Sequence, residues 1–245
     1  MAELEEVAAD ILTGRTHRHL VDVAVSQNLL TQKSILVHQK ALKPFLALKS
    51  EAEKQGFDLC ICSGFRSFER QMLIWNEKLL GDRPVLDELG GRINLIELDP
   101  WQQIQAVLRW SALPGTSRHH WGSDFDVYDA NAMPEGYQIQ LTTSECEGEG
   151  IFAPMHEWLN SVLIKGQHKS KGFYRPYAID LGGVSPEPWH ISYAPIANSY
   201  AQQLTGDIIK QQLLDNLELV SLDTVLKYLD EIIRRFVRVS GEDNL

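Results

Sequence analysis

The sequence predicts an α+β fold: a central, mainly antiparallel sheet with helices packed against it, followed by C-terminal helices. Three observations carry this. Short strand-like segments, "FDLCIC" (57–62), "SDFDVYD" (123–129) and "EPWHISY" (187–193), are separated by helical stretches without a regular βαβ rhythm. Beyond Pro195 the spacing of apolar residues turns amphipathic and helical. The chain has 245 residues, 44% of them hydrophobic and 23% charged, which suits one domain able to bury a substantial core.

In chain order, "KALKPFLALKSEAEKQG" (40–56) has Pro44 near a helix start, apolar residues at 45, 46, 48 and 52, and a stop at Gly56. "FDLCIC" follows as a buried strand, broken by Ser63 and Gly64. "SFERQMLIWNEKLL" (67–80) is helical behind Ser67, although Arg70 stands where a capping box has Glu or Gln. "LDPWQQIQAVLRWSAL" (98–113) has a better start, with Asp99 as cap, Pro100 in the first turn, Gln102 and Gln103 to return bonds, and an end near "LPG". "SDFDVYD" alternates as a strand, with Phe125 and Val127 on one face and Asp124 and Asp126 on the other. "IFAPMHEWLNSVLI" (151–164) reads as a helix, "GFYRPYAID" (172–180) as a strand or extended arm, and "EPWHISY" as a strand entered through Pro188. The stretches 195–219 and 221–239 are the C-terminal helices.

A net charge of -10 and a pI near 5.3, with no basic run, argue against nucleic acid as a partner. The first twenty residues begin acidic and lack an apolar stretch behind a basic start, so neither a signal peptide nor a membrane partner is expected. Three cysteines, Cys60, Cys62 and Cys146, are too few for a disulfide framework and fit buried reduced thiols. The expected location is therefore cytoplasmic, with the periplasm by another route as the alternative. Oligomeric state is left open.

A catalytic zinc site takes three His or carboxylate ligands and an open position, with an unbound base nearby. The chain lacks the helical His-Glu-x-x-His arrangement. It offers His119 just before a glycine turn, Asp126 seven residues on, and Glu187 with His190 three residues apart. In a regular strand the last two would diverge, but Pro188 disturbs the strand, and a bend there would turn both towards one metal. Spacing alone leaves an accidental pairing of histidines and acids open.

The residues Ser117-x-His119-x-x-Gly122-x-x-x-Asp126, with Glu187-Pro188-Trp189-His190, resemble the two signatures of the D-alanyl-D-alanine metallopeptidase family. That family includes the vancomycin-resistance carboxypeptidases and dipeptidase and shares its fold with the hedgehog signalling domain. "SGFRSFERQ" (63–71) resembles the family's "SGYRS" element, and "KGFYRP" (171–176) its approach to the last signature. The resemblance covers residues 36–194, which it marks as a catalytic core within a single domain of residues 1–245, leaving 195–245 as a helical extension. It implies one zinc ion held by His119, Asp126 and His190, with Glu187 as general base and Arg66 stabilising the polarised carbonyl. Ser117 and Gln71 match positions that line the substrate pocket near the terminal carboxylate. The implied activity is removal of the terminal D-alanine from peptidoglycan-type peptides by Glu-assisted attack of zinc-bound water. An L,D-carboxypeptidase, D,D-dipeptidase or endopeptidase shares that chemistry, and a zinc-stabilised binding domain is the non-enzymatic alternative.

Asp124 departs from the family, which has a small residue there. Sharing a face with Asp126, it is grouped with the substrate-binding residues, as an acceptor for a histidine or for substrate amine, or else as the ligand in place of Asp126. His120 is expected to be solvated or hydrogen-bonded rather than a ligand, His156 and His168 to be surface histidines, Asp129 to cap the turn before Asn131, Trp121 and Trp189 to be packing supports, and "ECEGEG" (145–150) to be an acidic loop.

Overall fold

The structure, a computed structural model, describes residues 6–24, 34–88, 90–163 and 168–238. The expected C-terminal extension thus runs, at 239–245, outside the described residues, as do residues 1–5 of the N-terminal stretch. A short helix α1 (Ala9–Leu12) precedes an antiparallel pair, β1 (Leu20–Ala24) and β2 (Ser34–His38). The main sheet follows the order β3 (Leu59–Ser63), β4 (Asp124–Asp129), β6 (His190–Tyr193), β5 (Phe173–Tyr174), every neighbouring pair antiparallel.

β4 lies between β3 and β6, so all six of its residues are buried, the aspartates included. One face of the sheet packs on α2 (Gln39–Glu53) and α6 (Ala153–Val162): Phe45 and Leu48 of α2 and Met155 and Leu159 of α6 cluster with Ile61, Phe125, Val127 and Ile191. Phe45 meets Phe125 edge to face at 5.5 Å, a geometry contributing about 0.5–1.5 kcal/mol beyond area burial. The opposite face of β4 carries Asp124 and Asp126. Strand alternation therefore separates the residues that hold the fold from those available for chemistry.

The second apolar cluster is helical. Trp75 of α3 (Phe68–Leu80) and Ile104 and Val107 of α4 (Pro100–Leu108) pack with Ala197 of α7 (Ala194–Gln203), Leu213 of α8 (Gly206–Leu214), Val225 of α9 (Leu222–Lys227) and Ile232 of α10 (Leu229–Ile232). The Trp75 indole donates to the Val220 carbonyl at 3.1 Å. The C-terminal helices thus pack on the two helices that follow β3. Among the described residues no helix is long and apolar enough to cross a membrane.

Element ends differ from expectation where side chains set them. α2 begins at Gln39 because the His38 ring accepts from Lys40 N, leaving Pro44 inside the helix instead of near its start. α4 has the expected box between Asp99 and Gln102 but stops at Leu108, and the Arg109 carbonyl accepts from Ser185 N instead of continuing the helix. The 195–219 stretch splits after Gln203, where the Thr205 hydroxyl caps α8. Cys60 and Cys62, expected to be buried, are only partly so: their thiols donate to the Asp58 carboxylate and the Asp126 carbonyl.

Candidate metal centre and cavity

Three backbone devices bring the polar residues together. The single turn Arg118–Trp121 ends at Gly122, whose φ is +64° and whose added Cβ would lie 2.5 Å from Leu20 Cδ2 and 3.0 Å from His38 N. Only glycine fits both the left-handed backbone and that approach. On β4, Asp126 pairs in register with His190 of β6. The Glu187–His190 segment is a turn, closed by His190 N donating to the Glu187 carbonyl at 3.0 Å. Pro188 therefore does bend the chain, and it bends both side chains to one side.

His119 Nε2 is 3.4 Å from Asp126 Oδ2, His190 Nδ1 is 3.4 Å from Asp126 Oδ1, and Glu187 Oε2 is 3.3 Å from the same His190 nitrogen. The potential ligand atoms of His119, Asp126 and His190 lie within 4.8 Å of one another. His190 Nδ1 and Asp126 Oδ1 are buried without a hydrogen-bond partner, which such groups seldom tolerate. The remote nitrogens are both engaged: His119 Nδ1 on the Gly64 carbonyl at 2.9 Å and His190 Nε2 on Asp124 at 3.0 Å. Each ring thus turns its other nitrogen inward, the orientation that metal-bound histidines take from their outer partners. Two imidazole nitrogens and one carboxylate are a donor set that zinc accepts with a fourth position open. The residues fit the ion.

Electrostatics reinforce the arrangement. Burial raises the Asp126 pKa, but the adjacent His119 and His190 outweigh it and hold the carboxyl well below the usual range. Burial lowers that of His190, while Asp124, Asp126 and Glu187 carry it well above the ordinary value. Asp124, opposed by its own burial, is held at about 2 by Arg118 and His190.

Asp124, grouped above with substrate contacts, is instead fully buried behind His190. It accepts from Arg118 Nε at 2.8 Å and Ser123 Oγ at 2.9 Å, and Arg118 in turn donates to Tyr174 and Ser192 hydroxyls at 2.7 and 2.9 Å. Gln71, expected in the pocket wall, also lies behind it: its carbonyl accepts from Arg66 Nη1 at 3.0 Å and its amide donates to the Ala112 carbonyl at 2.7 Å. Both are displaced from the substrate's reach because a larger neighbour, His190 or Arg66, stands in front.

A cavity of about 640 Å³ opens over the centre, with Arg66, Ser117, His119, Asp126, Glu187 and His190 among its walls. Sequence reasoning missed Lys78, Tyr177, Trp110 and the 140–144 loop, which also line it. Trp189, read as a packing support, lines it too, its ring parallel to that of Trp110 at 6.5 Å. The missed residues stand outside the three motifs; the one available signal was Lys78, a cation four residues after cavity-lining Ile74 on the same helix. Burial, together with Arg83, lowers the Lys78 pKa to about 8.

The remaining expectations divide. His120 is buried and neutral, its Nδ1 on the Arg66 carbonyl at 2.7 Å and its Nε2 accepting from Gly115 N at 3.1 Å, with burial lowering its pKa to about 3. It supports the backbone of Arg66. Asp129 accepts from Asn131 N and from Asp58 N. Trp121 is buried and donates to the Leu12 carbonyl. His168 is exposed, but His156 is buried beside Arg175, not on the surface, because it faces inward on α6. The acidic loop is not wholly solvated: Glu145 is buried and accepts from Tyr137, Gln140 and Thr142.

An α+β protein with a candidate metal centre and an adjacent carboxylate in one cavity is the class that fold and site define. Within it, the family profile described as "VanY: D-alanyl-D-alanine carboxypeptidase" matches residues 34–196, and the chain belongs to that family of peptidases. Two proteins of Haemophilus influenzae, each described as "Uncharacterized protein", are similar. One is 42% identical over 108 residues, 44% of this chain and 71% of the relative; the other is 30% identical over 127 residues, 51% and 92%. Similar solved structures include a vancomycin-resistance D,D-pentapeptidase VanY mutant in complex with Zn(II), at 25% identity, covering 76% of this chain and 86% of that one, with TM-score 0.45. The LdcB LD-carboxypeptidase is another, at 22% identity, 78% and 74% coverage and TM-score 0.48.

Proposed function

We propose that the chain is a zinc-dependent D-alanyl-D-alanine carboxypeptidase that releases the terminal D-alanine of peptidoglycan-type peptides. The observation that carries the reading is the convergence of His119 Nε2, Asp126 and His190 Nδ1 with Glu187 Oε2 beside them, inside a cavity of the family's own segment. His119, Asp126 and His190 would hold one ion, which supplies Lewis acidity towards the scissile carbonyl and acidifies water. Glu187 Oε2, beside the ligand set, would take a proton from the attacking water and return it to the leaving amine, a general acid–base contribution of about 10²–10⁴ in rate. Arg66, fixed by Gln71 on one side and by the His120 ring under its backbone, presents its guanidinium to the carbonyl oxygen as negative charge grows there. Ser117, buried at the cavity wall, orients the substrate. The proposal extends to place: a cytoplasmic enzyme acting on soluble precursors or recycled wall fragments, which cell fractionation tests.

Release of free D-alanine from a synthetic D,D-linked muropeptide, set against an L,D-linked tetrapeptide, is the direct assay. The D,D substrate is expected to turn over preferentially with zinc present, and Glu187→Gln to keep its zinc while losing at least about 10²-fold in kcat. No turnover of either substrate, or a fully active Glu187→Gln protein, would overturn the reading.

A further inference from the structure

Four cations, Arg66, Lys78, Arg83 and Arg118, line the cavity, and not every one has a carboxylate partner. Arg83 is paired with Glu77 at 2.9 Å and Arg118 with Asp124 at 2.8 Å. Among the described residues that line the cavity, Arg66 and Lys78 have no carboxylate within ion-pair distance; Arg66 is bonded to the neutral Gln71, and Lys78 has no side-chain hydrogen bond. Both are nevertheless partly withdrawn from water, and Lys78 lies in the electrostatic reach of Arg66, Arg83 and Glu187. Holding two cations without a close carboxylate in a partly desolvated cavity costs stability, and the cost is offset when a ligand places an anionic group against one of them.

A peptide cut at its last bond brings negative charge at two places. One is the scissile carbonyl oxygen, which gains charge only during reaction. The other is the free C-terminal carboxylate, one residue further on, which is charged throughout. Arg66 answers the first. Of Ser117 and Gln71, the two residues expected near the second, Ser117 lines the cavity with a neutral hydroxyl and Gln71 is withdrawn behind Arg66, so Lys78 is the cation on the wall that is left for it. Resting on the function proposed above, we propose that Lys78 anchors the substrate's free C-terminal carboxylate and so makes this an exopeptidase site. α3 is suited to the task, being a regular helix pinned in the apolar cluster by Trp75, one turn before Lys78, so the ammonium is delivered from a fixed base. Met at this position would keep the stem's packing and remove the charge.

The test compares N-acetyl-D-alanyl-D-alanine with its C-terminal carboxamide on zinc-loaded protein. Removing one partner of a desolvated charge pair costs enough that the acid is expected to be preferred by about 10²-fold in kcat/KM. Lys78→Met is expected to lose most of that preference, through KM on the acid far more than on the amide, and Lys78→Arg to recover part of it. Thermal melting confirms that each variant is folded. Calorimetric binding of the same two compounds to Glu187→Gln protein reads the preference without turnover. If the chain hydrolyses neither compound, the functional reading fails while binding still judges Lys78. If the acid binds no better than the amide, or Lys78→Met keeps the full preference, the assignment of Lys78 is overturned.

Discussion

At the scale of single residues, Asp124 is tied into the fold by three side-chain hydrogen bonds. It links Arg118, Ser123 and His190 with no exposed surface. A carboxylate behind a ligand histidine fixes its ring and raises its basicity, and loss of such a partner lowers metal affinity by about 10–100-fold. Asp124→Ala is therefore expected to weaken zinc binding by that order, measured by competition with a chelator. It also leaves Arg118 buried and unpaired, so unfolding free energy should fall by about 3–5 kcal/mol in denaturant titration. Asp124→Asn keeps an acceptor for His190 and is expected to lie between; unchanged zinc affinity in both variants would deny the role. The shared face of Asp124 and Asp126 was legible from alternation, since period two is a local property. Which partner Asp124 takes was not, because Arg118 reaches it from a separate turn across six residues of chain. Gln71 follows the same pattern: its motif marked the neighbourhood, while the order in depth of Gln71 and Arg66 depends on the Ala112 carbonyl.

At the scale of elements, the segment before α6 shows how a loop becomes a cavity wall. Residues Gln140 to Ser144 line the cavity, and Leu141 takes a left-handed φ of 55°, which a branched side chain adopts at a cost of about 1–2 kcal/mol. What holds it is one carboxylate. Glu145, in the short helix α5 (Thr143–Cys146), accepts from the Tyr137 hydroxyl at 2.6 Å, Gln140 N at 2.9 Å and Thr142 N at 3.1 Å, closing a capping box with Thr142. Glu145→Ala removes all three bonds and is expected to release the wall: faster hydrogen exchange over 137–144 and a KM raised by at least about 10-fold, with kcat little changed. An unaltered exchange pattern would show that other contacts hold the loop. This device escaped the sequence reading because "ECEGEG" was read by its charge, although Thr142 and Glu145 already had box spacing. Strands and long helices were legible because burial imposes a period on them. Their ends were not, since they depend on caps such as His38 and on distant bonds such as Ser185 N to the Arg109 carbonyl.

At the scale of the whole molecule, the sheet joins two apolar clusters, one under β4 and one formed by helices, and histidines are buried where elements meet. His38 closes β2 and caps α2, its Nε2 3.2 Å from the Tyr200 hydroxyl of α7; His19 stacks obliquely at 5.5 Å from it with neither ring nitrogen bonded. Burial lowers the pKa of His19 and His38 to about 4, and burial with nearby Arg175 lowers that of His156 to about 3. The unfolded chain protonates these rings near pH 6.5, whereas the folded chain excludes the proton until pH 4 or below. Between those values the unfolded state binds more protons, so stability falls as pH drops; above about pH 6.5 these groups contribute no pH dependence. Carboxylates held low, such as Asp124 at about 2, add their own loss only below the ordinary carboxyl range, so the two windows separate. In thermal melts from pH 8 to pH 4 these rings are expected to contribute a decline that begins near pH 6.5, while His190, held well above its ordinary value, adds an opposite slope above pH 6.5 in metal-free protein. His38→Asn retains a side chain able to cap α2 but cannot titrate, so the difference between its melts and the parent's isolates one ring whatever the metal ligands do. That difference should shrink as pH falls from 6.5 to 4, and a difference constant across the range would show that the His38 ring titrates alike in folded and unfolded chains.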